Sequence, residues 1–69
     1  NVPGVMADGA VIEQLTAKQT DYLIGEGTIF GGMIPKVRTA IGALSNGAQS
    51  AVITDLEGLR MGRGTVFTR

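Results

Sequence analysis

The stretch best suited to chemistry is Gly31-Gly32-Met33-Ile34-Pro35-Lys36. Two glycines lead into a predicted helix, and a lysine falls in its first turn. Without side chains, the glycines let backbone N–H groups approach an anion closely. The helix start adds unpaired N–H groups and the positive end of its dipole. That dipole disfavours a cation at Lys36, and an anion held between them would remove the cost. The pattern therefore suggests a bound phosphate. The spacing equally fits a solvated lysine after a Gly-Gly turn. A Walker loop is excluded, because its glycine, lysine and hydroxyl spacing does not occur. Gly25-x-Gly27 is not a dinucleotide fingerprint either, because Phe30 stands where the third glycine belongs.

The elements that must position this stretch are legible in part. Residues 34–46 read as a helix. Pro35 suits its first turn, and Val37, Ala40, Ile41, Leu44 and Ala48 form one apolar stripe. Asn46-Gly47 ends it. Residues 16–26 read as a second helix, with Thr16 as N-cap and Gln19 completing a capping box. Ala17, Thr20, Leu23 and Ile24 give it a modest apolar face, and Gly25 and Gly27 stop it. Tyr22 is expected to pack this helix against a neighbour. Thr28-Ile29-Phe30 is short and β-prone.

Residues 1–9 read as a loop, with turns at Pro3-Gly4 and Asp8-Gly9. The second turn is of the tight hairpin kind, with arms at 5–6 and 10–13. Residues 50–54 read as a buried strand of the parallel type. Residues 55–64 read as a loop or one short helical turn, and 65–68 as a final edge strand. This order suits the later half of an α/β sandwich.

Composition narrows the possible functions. The chain has 69 residues and neither Cys nor His, which excludes disulfides, zinc fingers and Ser-His or Cys-His catalysis. Six basic residues balance six acidic ones, against the basic excess expected of a nucleic-acid-binding domain. Three aromatics (Tyr22, Phe30, Phe67) are few for base stacking. No apolar run approaches the roughly 20 residues of a membrane span. The expectation is a soluble, cytoplasmic protein without nucleic-acid or membrane partners. Eleven glycines and 43% hydrophobic residues, with no staples, suit part of something larger better than a self-contained domain.

Several segments together resemble a family. Gly31-Gly32-Met33-Ile34-Pro35-Lys36-Val37 is similar to the GGMIPKV segment of acetylglutamate kinases, members of the amino acid kinase family. Asn1-Val2-Pro3-Gly4-Val5 resembles their DVPGV loop. Leu15-Thr16 through Ile24 resembles the helix that follows it. Ala40 to Gly47 resembles a later helix, and Gly62 to Val66 the closing strand. Order and spacing are kept from residue 1 to about residue 54. Related glutamate 5-kinases share Gly-Gly-Met and the lysine, but the intervening Ile34-Pro35 favours the acetylglutamate branch.

The resemblance implies an α/β/α sandwich around a largely parallel sheet, of which residues 1–69 are the C-terminal nucleotide-binding part. It implies transfer of the γ-phosphoryl of ATP, with Mg²⁺, to a carboxylate of N-acetylglutamate in arginine biosynthesis. Asn1, Val2, Pro3, Gly4, Val5 and Met6 then correspond to the loop lining the adenosine site. Thr28, Ile29 and Phe30 correspond to a second stretch against the nucleotide, with Gly31 and Gly32 beside the phosphates. Lys36 corresponds to the lysine that stabilises the transition state.

The family's N-terminal domain supplies a second lysine, a glycine-rich loop and the acyl-amino-acid pocket, none of which is in these residues. The 69-residue chain alone is therefore expected to be inactive, and the complete enzyme to be a homo-oligomer. Asn1 replaces the family's usual aspartate, keeping an acceptor and losing a charge. Residues 55–62 look shorter than the family's loop by about two helical turns, roughly 7 residues. That leaves Arg60, Arg63 and Arg69 as a solvated rim or an effector contact. A kinase of a related acyl amino acid, such as an aminoadipate on a carrier protein, and a regulatory module of the same fold remain alternatives.

Overall fold

The computed structural model describes residues 2–69. In chain order the elements are β1 (Met6–Ala7), β2 (Ala10–Val11), β3 (Gln14–Thr16), α1 (Ala17–Glu26), α2 (Met33–Ser45), β4 (Ala51–Ile53), α3 (Leu56–Met61) and β5 (Thr65–Thr68). Asn1 lies outside the described residues, and with it the first position of the expected adenosine loop.

Local rules account for most of these elements. Asp8 (φ 52°) and Gly9 (φ 80°) both take the left-handed backbone of a type I′ turn, so β1 and β2 pair antiparallel with Met6 opposite Val11. The expected hairpin is present, with its first arm shifted by one residue and its second shortened to Ala10–Val11. Thr16 Oγ accepts the Gln19 N–H at 3.1 Å, and Gln19 Oε1 accepts the Thr16 N–H at 2.9 Å. This closed capping box starts α1 where the sequence predicts. The left-handed Gly27 (φ 92°) ends α1. Asp55 Oδ1 accepts the Gly58 N–H at 2.7 Å and starts α3, the short turn allowed for in residues 55–64.

The sheet departs from expectation. Its order is β3-β5-β4, with β3 parallel to β5 and β4 antiparallel to it. The fold class is α/β, but the sheet is mixed. Residues 65–68 are the central strand, not an edge. Along β5, Thr65 and Phe67 are buried while Val66 and Thr68 are half-buried. Residues 50–54 give an antiparallel edge strand, not a buried parallel one, and its Val52 is 55% exposed. Short apolar runs look alike in both settings, and only pairing with distant segments decides between them. β3 was not foreseen; it is three residues long, and its Thr16 also serves as the helix cap. Thr28-Ile29-Phe30 forms no strand. Tyr22 is 70% exposed among the described residues, because α1 turns Thr20, Leu23 and Ile24 inward instead.

Leu15 and Phe67, opposite each other in the sheet, meet Val37, Ala40 and Leu44 of α2, with Val5 and Ile29 completing the core. Full burial of Phe67 contributes about 2–3 kcal/mol. Beside it the Thr65 hydroxyl accepts the Val5 N–H at 2.8 Å and donates to the Ile12 carbonyl at 2.6 Å. Gly4 packs so closely here that a Cβ would lie 2.8 Å from both Thr65 Oγ1 and Val11 Cγ1. Arg69 is not a free rim cation. Its Nη2 donates to the carbonyls of Leu44 (3.0 Å) and Ala48 (3.3 Å) at the end of α2, where a positive charge is favoured.

Two stability predictions follow for the full-length polypeptide. Thr65→Val removes the hydroxyl and strands the buried Val5 N–H and the part-buried Ile12 carbonyl, so denaturant titration should show a loss of about 2–3 kcal/mol, while Thr65→Ser keeps most of the stability. Gly4→Ala should cost about 1–3 kcal/mol through overpacking. An unchanged midpoint for both Thr65→Val and Gly4→Ala would show that this junction does not hold the fold.

Candidate functional site

The start of α2 is assembled from Phe30, Gly31 and Gly32. Gly31 takes a left-handed backbone (φ 57°), which turns the chain into the helix, and Gly32 already has a helical backbone (φ −66°). The Met33 N–H donates to the Phe30 carbonyl at 3.2 Å, and the Ile34 N–H donates to the Gly31 carbonyl at 3.1 Å. Two helix-start donors are therefore used locally, and Pro35 has none to offer. The N–H groups of Gly31 and Gly32 have no backbone partner among the described residues. The anion-binding capacity expected of this helix start thus narrows to the glycine pair.

Neither packing nor conformation explains why position 32 is glycine. A Cβ built at Gly31 or at Gly32 would meet nothing within 4 Å. At Gly31 the left-handed backbone supplies a reason; at Gly32 the backbone is one any residue adopts. The open space above Gly32 is what a closely approaching phosphate would need. Lys36 lies one turn further along the same helix face. It is exposed, and helical side chains lean toward the N-terminus, back over the Gly32 turn.

The other predicted site residues are distributed unevenly. Val2 and Lys36 border one shallow groove of about 440 Å³ between α2 and β4. Pro3 opens instead onto a groove of about 580 Å³, lined also by Val11, Gln14, Asp55 and Arg63. Gly4 and Val5 are buried, and Met6 is exposed on the hairpin. Thr28 is half-buried and donates to Glu26 Oε1 at 2.7 Å. Ile29 is buried, while Phe30 is 72% exposed. The side chains of Val5 and Ile29 belong to the core, so these two residues could meet a ligand only through backbone groups. Among the described residues, no hydrogen bond joins the Val2–Met6 loop to the Thr28–Gly32 segment.

Thr54 was not foreseen. It lines the Lys36 groove, and its hydroxyl donates to the Arg63 carbonyl at 2.7 Å. That contact closes the α3 loop against β4. The adjoining Gly58 has no room for a Cβ beside Thr54 Oγ1. A threonine after an apolar strand carries no sequence signal for such a role. Among the described residues, no group of three or more Asp, Glu, His or Cys is placed to hold a metal ion. No helix among them is long and apolar enough to cross a membrane.

No protein-family model matches the chain. Individual relatives do. The chain is 54% identical over 68 residues to the acetylglutamate kinase of Chloroflexus aurantiacus, covering 99% of this chain and 26% of the relative. It is 52% identical over 67 residues to that of Roseiflexus castenholzii, again covering 26% of the relative. Against the acetylglutamate kinase of Geobacillus stearothermophilus it is 47% identical over 53 residues. The Chloroflexus match must run through residues 55–64, the stretch expected to depart from the family, since it leaves out only about 1% of the chain. The chain spans about a quarter of the length of these first two relatives. Along nearly its whole length, then, this chain carries the sequence pattern of acetylglutamate kinases.

Proposed function

We propose that the chain is the C-terminal, ATP-binding part of an enzyme that phosphorylates the side-chain carboxylate of N-acetyl-L-glutamate in arginine biosynthesis. The observation that carries this reading is the 52–54% identity to acetylglutamate kinases through a stretch that contains the glycine pair and Lys36. In such a transfer a carboxylate oxygen forms a bond to the γ-phosphorus of ATP. The bond to the β,γ-bridging oxygen breaks, and ADP leaves. Charge spreads over the transferring oxygens, so catalysis is mainly positioning and electrostatic stabilisation.

This chain's residues suit part of that task. The N–H groups of Gly31 and Gly32 would hold phosphate oxygens. The Lys36 ammonium would offset the charge that develops on them. Val2 would border the nucleotide beside Lys36, with Pro3 and Phe30 presenting exposed surface to the nucleoside. Mg²⁺ carried in with ATP would neutralise further phosphate charge. The acyl-amino-acid pocket and a second cation would come from outside residues 1–69, which leaves these residues inactive by themselves. A further layer against the open sheet face of Gln14, Val66 and Val52 would complete a three-layer sandwich. The whole enzyme is read as a cytoplasmic homo-oligomer.

Two variants of the full-length polypeptide test the assignment by ATP-dependent phosphorylation of N-acetylglutamate. Lys36→Ala should lower kcat by about 10²–10³-fold with the fold intact. Gly32→Ala should leave the melting temperature within a degree or two and raise the KM for ATP several-fold. Undiminished turnover in Lys36→Ala would remove the lysine from the reaction. An unchanged KM in Gly32→Ala would remove the glycine cradle.

A further inference from the structure

The C-terminal end of α2 carries a reactive dipeptide, Asn46-Gly47, and both residues are exposed. An asparagine side-chain amide is open to attack by the backbone nitrogen of the next residue, and a glycine there has no Cβ to shield that nitrogen. The fold itself calls for this glycine. Gly47 takes a left-handed backbone (φ 104°). Its N–H donates to the Leu44 carbonyl at 3.1 Å, and the Ala48 N–H donates to the Ala43 carbonyl at 3.0 Å. Those two bonds make a Schellman cap, which favours glycine at its left-handed position.

The same cap holds the reactants apart. To reach Asn46 Cγ, the Gly47 nitrogen must lie nearly eclipsed with Cβ about the Cα–C bond of Asn46. With ψ at 13°, it eclipses the Asn46 backbone nitrogen instead. Ring closure therefore requires ψ of Asn46 to rotate, and that rotation breaks both bonds of the cap. Arg69 adds a clamp from outside the helix. Its Nη2 donates to the carbonyls of Leu44 and Ala48, and the Leu44 carbonyl is the one that also accepts from Gly47. Opening the last turn of α2 thus means releasing Arg69 as well.

We propose that Asn46 is a site of spontaneous deamidation whose rate is set by opening of the α2 C-terminus, with Arg69 as the residue that keeps it closed. In this step the Gly47 nitrogen bonds to Asn46 Cγ, and the bond from Cγ to Nδ2 breaks. The amide proton of Gly47 leaves with Nδ2 as ammonia. Water then opens the resulting succinimide at either of its carbonyls, giving aspartate or isoaspartate. Each event consumes a water and releases an ammonia. Both products weaken the cap. Aspartate puts a negative charge at the end of a helix, where the dipole disfavours it. Isoaspartate runs the main chain through Cγ and so lengthens the lead from α2 into β4 by a carbon.

Timed incubation of the full-length polypeptide in mildly alkaline buffer tests it, with peptide mapping by mass spectrometry across residues 46–47. The native protein should deamidate at Asn46 several-fold more slowly than the same chain unfolded in urea. Arg69→Met keeps an apolar stem and removes the donors. It should speed the native reaction several-fold, together with hydrogen exchange at Gly47 and Ala48, and leave the rate in urea and the exchange of α1 unchanged. Arg69→Lys, which restores a donor, should fall between. Equal rates in the native and unfolded chains would overturn the proposal, and so would a native rate that Arg69→Met does not change. A rate that rises only as far as exchange in α1 rises would also overturn it, because global unfolding would then be the gate. No deamidation of Asn46 in urea would remove the site altogether.

Discussion

A single hydroxyl joins the distant parts of this chain. Thr65 Oγ1 accepts from Val5 and donates to Ile12, so it ties the N-terminal loop and the lead into β3 to the central strand. A hydroxyl is the smallest group that can do both at once. Valine would fill the space but leave the buried Val5 N–H and the part-buried Ile12 carbonyl without this partner. Gly4 is the complement of that contact, since its missing Cβ is what lets the loop come close. Phe67, two residues on and facing the same side, then seals the core against α2. The loop that reaches Val2, and the groove it shares with Lys36, take their positions from this junction.

The candidate site is built on the opposite principle. Where the core is tight, the Gly31-Gly32 entrance to α2 is open, and its free donors are few. Local bonds from Met33 and Ile34 consume the donors that a helix start would otherwise offer. What remains is two adjacent amides and a cation one turn away. Such a set could meet an anion, and it offers nothing to select among anions.

Features encoded within a few residues were legible in the sequence. The Thr16–Gln19 capping box, the Asp8-Gly9 hairpin, the left-handed Gly27 and the apolar stripe of α2 each follow from neighbours in the chain. The Gly31-Gly32 entrance to α2, with Lys36 in the first turns of the helix, was legible as local structure for the same reason. Features that depend on distant partners were not. β5 looked like an edge because nothing near residue 65 reveals that Gln14 and Ile53 lie on either side of it. The resemblance assigned Val5 and Ile29 to a nucleotide by position. The structure shows that their side chains are already committed to the core. Arg69 looked like surface charge, and its helix-capping role depends on carbonyls 21 and 25 residues away.

Among the described residues, the middle strand of the sheet is also the last element in sequence. Leu15 has no sheet partner until Phe67 has been made, 52 residues later. At ordinary rates of synthesis that interval is about 3–10 s. Throughout it, α1 and α2 are present without the β3-β5-β4 sheet they pack against. Val37, Leu44 and Leu15, all buried in the folded chain, lack Phe67 of the core meanwhile. The three-stranded sheet cannot close before β5 has been made.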